Sequence, residues 1–140
     1  MAQFDTTLRD DFITNYTSVT LVNTYNYYTS FRLGSVTLLM NVRYNPRNKR
    51  REISLETIDG EVLLTNTFVS YNRRCELNNN AIFNGLNYYV ILKPIVETKT
   101  FSDDFDYINW ADDFVLCFVG YDQSLVERMN VNLRVQLVGN

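Results

Sequence analysis

The chain has 140 residues, of which 46% are hydrophobic and 14% aromatic, with 5 Gly and 2 Pro, and this composition excludes a disordered or fibrous chain. The formal net charge of −3 argues against nucleic acid as a partner, because a partner held through phosphate contacts needs clustered Lys and Arg. The chain has no histidine, so a catalytic site built on a histidine base is excluded as well.

The first 22 residues are expected to form an arm followed by a first strand at residues 16–22. Residues 1–14 show neither strand nor strong helix periodicity. Phe4, Leu8 and Phe12 are nevertheless spaced so that a groove of a partner could take them. The sequence has no secretory signal and no apolar run near the ~20 residues that cross a bilayer, so we expect no membrane contact.

An antiparallel meander is the clearest element of the sequence. Apolar side chains occupy every second position of residues 36–44, which is the period of a half-buried strand, and Leu39 is the one defect. Ile53 and Leu55 continue the same alternation in a second strand. The polar residues 45–49 between the two strands predict the loop of a hairpin.

Two further turns extend the meander to four strands. Asp59-Gly60 predicts a tight type I′ hairpin, in which both central residues need positive φ, and residues 61–64 follow as a third strand. Residues 25–33, rich in Tyr, Thr and Phe, predict a strand in front of the meander, and Gly34-Ser35 turns it into residue 36.

The rest of the chain predicts mostly strands. In chain order the expected elements are a short strand at residues 67–71, a loop with room for one helical turn at 72–80, strands at 87–97 and 114–121, one or two helical turns at 122–130 and a strand at 131–137. The strands at 87–97 and 114–121 are nearly continuous apolar runs, which is typical of strands covered on both faces. Residues 98–113 fit either a short helix beginning at Ser102 or a long loop.

These elements predict an all-β, mainly antiparallel fold: a small OB-like barrel or sandwich built on the meander, with one or two short helices, in a single domain over residues 23–140. Cys75 and Cys117 lie far apart without metal-type spacing, and we expect both to be unbonded thiols.

Catalytic and cofactor chemistry has little support in the sequence. Residues 104–109 begin like a calcium loop, but Gly is missing at the sixth position and Glu at the twelfth, so the EF-hand pattern fails. A pair of carboxylates that meet only in space leaves a small carboxylate hydrolase open as an alternative. We otherwise expect no enzyme activity, no metal, no cofactor and no small-molecule substrate.

The charged residues form two separate groups. Arg47, Arg50 and Arg51 lie in a basic hairpin, and Asp104 and Asp106 lie in an acidic segment at residues 103–113. These groups fit either a charged surface that is simply solvated or oppositely charged docking corners for different neighbours, which would contribute orientation and association rate more than affinity.

Aromatic residues beside the basic hairpin leave a second function open. Tyr25 and Tyr27 share one face of a predicted strand near Arg32, and such a row can stack bases or sugar rings on an OB-type barrel. The same tyrosines can equally pack in a core or at a protein interface. The alternative function is therefore an OB-type module that binds single-stranded nucleic acid or an oligosaccharide.

The meander also carries a resemblance to a known family. Phe31-Arg32-Leu33-Gly34, then Tyr44-Asn45-Pro46-Arg47 after an alternating strand, and then Ile58-Asp59-Gly60-Glu61-Val62-Leu63-Leu64 resemble the baseplate plug proteins of tailed phages, which contain an OB-fold-like domain. The resemblance covers roughly residues 25–96. The family usually has Trp where this chain has Tyr44, and residues 1–23 and 98–113 go beyond its compact pattern.

The resemblance implies a non-enzymatic structural protein of the virion, located in the tail baseplate and assembled in the host cytoplasm. Such a protein plugs or bridges the central region of the baseplate, and its partners are other tail proteins of the hub, spike, tube or wedge. The candidate partner-binding residues are Phe4, Leu8, Phe12, Tyr25, Tyr27, Tyr44, Asn45, Arg47, Arg50, Arg51, Asp104 and Asp106.

Overall fold

A computed structural model describes residues 13–77 and 80–122 of the chain. The strands in this part are β1 (Ile13–Val19), β2 (Asn26–Leu33), β3 (Val36–Asn45), β4 (Arg50–Thr57), β5 (Val62–Val69), β6 (Cys75–Glu76), β7 (Asn87–Pro94) and β8 (Phe114–Tyr121). The helical pieces are 3-10 helices at Asn80–Phe83 and Tyr107–Asn109 and a single α-helical turn, α1, at Trp110–Asp113. The prediction of an all-β fold with few and short helices is confirmed.

The strands form two antiparallel sheets of four. The meander sheet has the order β2-β3-β4-β5, and the second sheet has the order β1-β8-β7-β6. In the described part of the chain the strands of one sheet pair only within that sheet, so the arrangement is a sandwich and not a closed barrel.

One hydrophobic core joins the two sheets. The buried alternate residues Leu38, Met40 and Val42 of β3 belong to the same cluster as residues of β7 and β8. The rings of Phe31 on β2 and Phe118 on β8 lie 4.8 Å apart, which places the two inner faces in direct contact. Apolar and polar residues alternate along the meander strands because one face of the sheet packs on this core and the other faces solvent.

The strands β7 and β8 are buried on both faces, as their continuous apolar runs predict. Their second face forms a separate buried cluster of Tyr89, Ile91, Cys117, Val119 and Tyr121. The fully buried Cys117 thiol accepts a hydrogen bond of 3.0 Å from the Tyr16 hydroxyl. Cys75 and Cys117 are both free, so the prediction of unbonded thiols is confirmed.

Several element boundaries differ from the predicted ones. The first strand begins at Ile13 and ends at Val19, where residues 16–22 were expected. β5 is one strand that replaces the two short ones predicted at 61–64 and 67–71, and it is interrupted only by shifts in its register with β4. The predictions for residues 1–12 and 123–137 lie outside the described residues.

Residues 98–113 are mainly loop, and the helical structure is confined to the end of the segment. Of the two alternatives for this segment, the loop is the one found at Ser102, because Asp106 is the residue that caps the 3-10 helix: its carboxylate accepts a hydrogen bond of 3.0 Å from the N–H of Ile108. Ser102 instead donates its hydroxyl to Asp104 over 2.6 Å, which forms a local turn.

The turn between β4 and β5 is not of type I′. Gly60 has a positive φ of 93°, but Asp59 is not among the residues with positive φ, and a type I′ turn needs both. The N–H of Gly60 donates to the Thr57 carbonyl over 2.9 Å, and the N–H of Thr57 donates to the Glu61 carbonyl over 2.9 Å. This pattern matches a three-residue loop, in which an ordinary turn is followed by one left-handed glycine.

Gly60→Val is expected to lower the free energy of unfolding by about 1–3 kcal/mol, because a β-branched residue is strained at this positive φ. A Cβ at Gly60 would meet nothing within 4 Å, so the loss would come from the backbone and not from a clash. Chemical denaturation measures the change. Asp59→Ala, at the exposed neighbouring position, is the control and should stay within about 0.5 kcal/mol. Equal effects of the two substitutions would contradict the assigned turn.

Candidate functional site

Arg51 of the basic hairpin is completely buried, with 0% of its surface exposed. Its guanidinium makes five hydrogen bonds of 2.6 to 3.4 Å, and every acceptor is a main-chain carbonyl. The acceptors are the carbonyls of Asn23, Thr24 and Tyr25 in the connection between β1 and β2, and of Tyr107 and Ile108 in the 3-10 helix. Arginine has five N–H donors, so this geometry uses its full donor capacity.

Two aromatic rings enclose the same guanidinium. Its central carbon lies 5.2 Å from the ring centroid of Tyr44 and 5.1 Å from that of Trp110. Both rings are buried, and a cation against a desolvated aromatic face is stabilised by the charge distribution of the ring. Burial lowers the pKa of Arg51 from its ordinary value, but an arginine stays charged at neutral pH.

The predictions of Arg51 and Tyr44 as partner-binding residues are therefore wrong. Arg51 is two residues before Ile53 and four before Leu55, so its side chain lies with theirs on the face of β4 that points into the core. The two-residue period of the strand could have revealed this orientation in the sequence. Tyr44 is 8% exposed and continues the same inner face on β3.

The acidic segment and the basic hairpin, predicted as docking corners for different neighbours, contact each other. The Tyr44 hydroxyl donates to the Asp106 carboxylate over 2.7 Å, and the N–H of Tyr107 donates to the Lys49 carbonyl over 2.9 Å. Arg50 also donates to the Asp103 carbonyl over 3.1 Å. Asp106, predicted as a surface contact, thus connects the hairpin to the 3-10 helix. Burial, together with the bond to Asp106, raises the pKa of Tyr44 to about 12.

The connections that cross between the two sheets meet at the same place. The Trp110 indole donates to the Val22 carbonyl over 2.8 Å, and the N–H of Ala111 donates to the Asn23 side chain over 2.8 Å. The N–H of Tyr71, between β5 and β6, donates to the Tyr107 hydroxyl over 2.8 Å. The Arg51 centre and the side chains around it therefore connect the two sheets.

The other predicted site residues are spread over the surface near this centre. Tyr25 is 52% exposed, and its ring lies 5.1 Å from that of Tyr44. Tyr27 is half-buried, and its hydroxyl accepts a hydrogen bond from the N–H of Val22. Arg47 and Asp104 are exposed. The remaining predicted residues are Asn45, whose side chain accepts from the Arg47 N–H within the hairpin loop, and Phe4, Leu8 and Phe12, which lie outside the described residues.

An exposed apolar groove on the outer face of the meander sheet was missed by the sequence reasoning. Its volume is about 270 Å³, and it crosses all four strands. Tyr28, Leu39 and Val62 are its most exposed apolar members, with 79%, 38% and 55% of their surface accessible. We call these three residues the outer-face groove. The polar residues on the groove include Asn41, Ser54, Glu56 and Thr65.

The sequence did contain a signal for this groove. Leu39 is the one residue that breaks the alternation of β3, and a residue out of phase with its strand points to the solvent face. Tyr28 has the opposite parity to Tyr25 and Tyr27, so it lies on the face that those two tyrosines avoid. The tyrosines predicted to bind a partner, Tyr25 and Tyr27, share a face with each other, and in the structure this is the inner face of the sheet.

Two negative findings apply to residues 13–77 and 80–122. No three side chains of His, Cys, Asp or Glu come together there in a way that could hold a metal ion. In the same part of the chain, no helix is long and apolar enough to cross a membrane.

Arg51→Ala is expected to lower the free energy of unfolding by about 3–5 kcal/mol, because it leaves five main-chain carbonyls without their buried donor. Arg51→Lys should recover only a small part of this loss, since an ammonium cannot reproduce the planar arrangement of donors. The matched control is Arg50→Ala, which removes one exposed hydrogen bond and should cost no more than about 1 kcal/mol. Similar losses for the two alanine variants in urea denaturation would refute the central role of Arg51.

Alkaline pH is expected to destabilise the protein, because Tyr44 and Tyr16 hold their protons more tightly in the folded chain than in the unfolded chain. Burial raises the pKa of Tyr44 to about 12 and that of Tyr16 to about 12. As the pH rises from about 10 to about 12, the unfolded chain releases protons that the folded chain retains, so the free energy of unfolding falls. This contribution is fully present below about pH 10.

The measurement is the denaturation midpoint as a function of pH. Tyr44→Phe removes one of the responsible hydroxyls and should make the fall less steep. Tyr28→Phe removes an exposed hydroxyl and serves as the control. A slope that is the same in the wild type and in Tyr44→Phe would show that Tyr44 does not contribute to it.

Comparison of the chain with known proteins gave no match. Family models, curated proteins and solved structures were compared in turn, and none of them matches. The functional interpretation therefore depends on the contacts and surfaces described above, together with the resemblance in the meander.

Proposed function

We propose that this protein is a non-enzymatic structural protein that works by binding other proteins, as a component of a phage tail baseplate. In that role it plugs or bridges the hub and spike region and is assembled into the virion in the host cytoplasm. The resemblance of the meander to baseplate plug proteins supports the location. The outer-face groove supports the mode of action.

The outer-face groove is the single observation that carries the proposal of protein binding. Tyr28, Leu39 and Val62 expose apolar surface in one groove of the outer sheet face, where Glu56 lies between Leu39 and Val62. Exposed apolar side chains with polar neighbours are a mark of protein interfaces, and tyrosine is enriched there. The fold does not need this surface for its core, because the inner face of the same sheet supplies the core residues.

The alternative of a single-stranded nucleic acid or oligosaccharide module loses much of its support. It required Tyr25 and Tyr27 to form an aromatic row beside a basic loop that includes Arg51. Tyr27 is half-buried, and Arg51 is committed to main-chain carbonyls inside the fold. Tight binding of single-stranded DNA that weakens steeply with salt would restore this alternative.

The double substitution Leu39→Ser/Val62→Ser is expected to reduce incorporation into tail particles roughly tenfold or more, because it removes the apolar contacts of the outer-face groove. The melting temperature should stay close to that of the wild type, since both side chains are partly or largely exposed. Incorporation is measured by quantitative mass spectrometry of purified particles.

The matched control is Ile95→Ser/Val96→Ser, which removes two exposed aliphatic side chains, 54% and 57% accessible, just after β7. This variant should enter the particles normally. Equal incorporation of both double variants would refute the role of the outer-face groove. Absence of the wild-type protein from the particles would refute the baseplate location itself.

A further inference from the structure

The edges of the two sheets are protected to very different degrees. A sheet edge presents unpaired N–H and C=O groups, and natural proteins usually blunt it with short strands, bulges, prolines or charges. β6 has only two residues, β1 has a register shift between Ile13 and Asn15, and β5 has register shifts against β4 and a left-handed Asn66. Each of these three edge strands is therefore too short or too irregular to pair easily with a further strand.

The fourth edge strand, β2, has none of these irregularities. It has eight residues, Asn26-Tyr27-Tyr28-Thr29-Ser30-Phe31-Arg32-Leu33, with no proline or glycine and one charge. It pairs with β3 in continuous register from Asn26 to Leu33. A long, regular and nearly uncharged edge is the type that accepts another strand.

The backbone groups that face the open edge can be assigned. The Tyr25 carbonyl accepts from the Tyr44 N–H, and Leu33 pairs with Val36 across the two-residue turn, so the odd-numbered residues bond to β3. In an antiparallel strand the intervening residues direct their N–H and C=O groups away from that partner. The open edge of β2 is therefore formed by Asn26, Tyr28, Ser30 and Arg32.

The chain leading into β2 turns away from this edge. The Val22 carbonyl accepts from the Trp110 indole, and the carbonyls of Asn23, Thr24 and Tyr25 accept from Arg51. These contacts direct the connection from β1 toward the Arg51 centre. Within the described part of the chain, no strand pairs with β2 on the side away from β3.

We propose that two copies of this chain pair through their β2 edges, antiparallel and centred on Ser30, so that the two meander sheets become one continuous sheet of eight strands. The occupant of the edge is a second copy because β2 is complementary to itself. Pairing about Ser30 places Tyr28 of each copy opposite Arg32 of the other, on the exposed face. Arg32 is the one charged residue of β2, and in each of the two symmetric pairs it lies opposite a tyrosine ring. No two like charges face each other in this arrangement.

This inference does not rest on the proposed baseplate function. Ser30 and Arg32 do not line the outer-face groove, and Leu39 and Val62, which test that function, do not lie on β2. Tyr28 belongs to both surfaces, so Ser30→Pro is the variant that separates the two proposals. A dimer can form whether or not the protein enters a tail particle. The failure of one proposal therefore leaves the other standing.

The test measures the oligomeric state of the full chain by sedimentation velocity over a concentration series. The wild type should show a concentration-dependent equilibrium between monomer and dimer. Ser30→Pro should be monomeric with an unchanged melting temperature, because the N–H that it removes faces the open edge and not the β3 ladder. Ser30→Ala keeps this N–H and is the matched control, which should dimerise like the wild type.

A charge exchange tests the register. Tyr28→Lys should weaken dimerisation about tenfold, since it opposes a second cation to Arg32 in both symmetric pairs. Adding Arg32→Glu to Tyr28→Lys creates two opposite-charge pairs and should restore the dimer. Both positions are exposed, so the fold does not depend on them.

Three outcomes would overturn the proposal. The first is a wild type that stays monomeric at every concentration, and the second is a folded Ser30→Pro variant that dimerises as well as the wild type. The third is a double variant that does not recover the dimer lost in Tyr28→Lys, which would exclude pairing centred on Ser30. If Ser30→Pro fails to fold, the charge exchange alone decides.

Discussion

The burial of one arginine without a carboxylate bound directly to it is the constraint on which the rest of this fold depends. Removing a guanidinium from water costs several kcal/mol, and here the cost is offset by five carbonyls and two aromatic rings. The two sheets share no strand pairing in the described part of the chain, so their relative position rests on side-chain packing and on the crossing connections. Arg51 belongs to the meander sheet. Its guanidinium donates hydrogen bonds to the connection between β1 and β2 and to the 3-10 helix that precedes β8.

The local features of the fold were predictable because local sequence determines them. The alternation of β3 and the polar residues 45–49 predicted the first hairpin of the meander, whose loop in the structure is residues 46–49. Continuous apolar runs predicted the strands β7 and β8, which are covered on both faces. The turn before β5 was placed correctly but its type was wrong. Asp-Gly fits two hairpin geometries, and the choice between them depends on hydrogen bonds made by Thr57 on the flanking strand.

The errors in the candidate site have one physical origin: burial of a polar residue depends on partners far away in sequence. Arg51 and Arg50 are adjacent and chemically identical, but the acceptors of Arg51 lie up to 57 residues away. Tyr44 and Asp106, predicted as contacts of different neighbours, bind each other across 62 residues. Strand parity is the local signal in the sequence that separates Arg51 from Arg50 and Leu39 from the core residues of β3.

The rigid centre also determines what the surface can do. Tyr25 accepts hydrogen bonds both from the Tyr44 N–H and from Arg51, and β2 begins at the next residue. The open edge of β2 and the outer-face groove are therefore presented by backbone that is already ordered on its inner side. Association through a preordered surface loses less conformational entropy than association that must first order a loop. Arg51 itself is buried and contacts no partner in this arrangement. It favours association because it fixes the start of β2, the strand that would contact the partner.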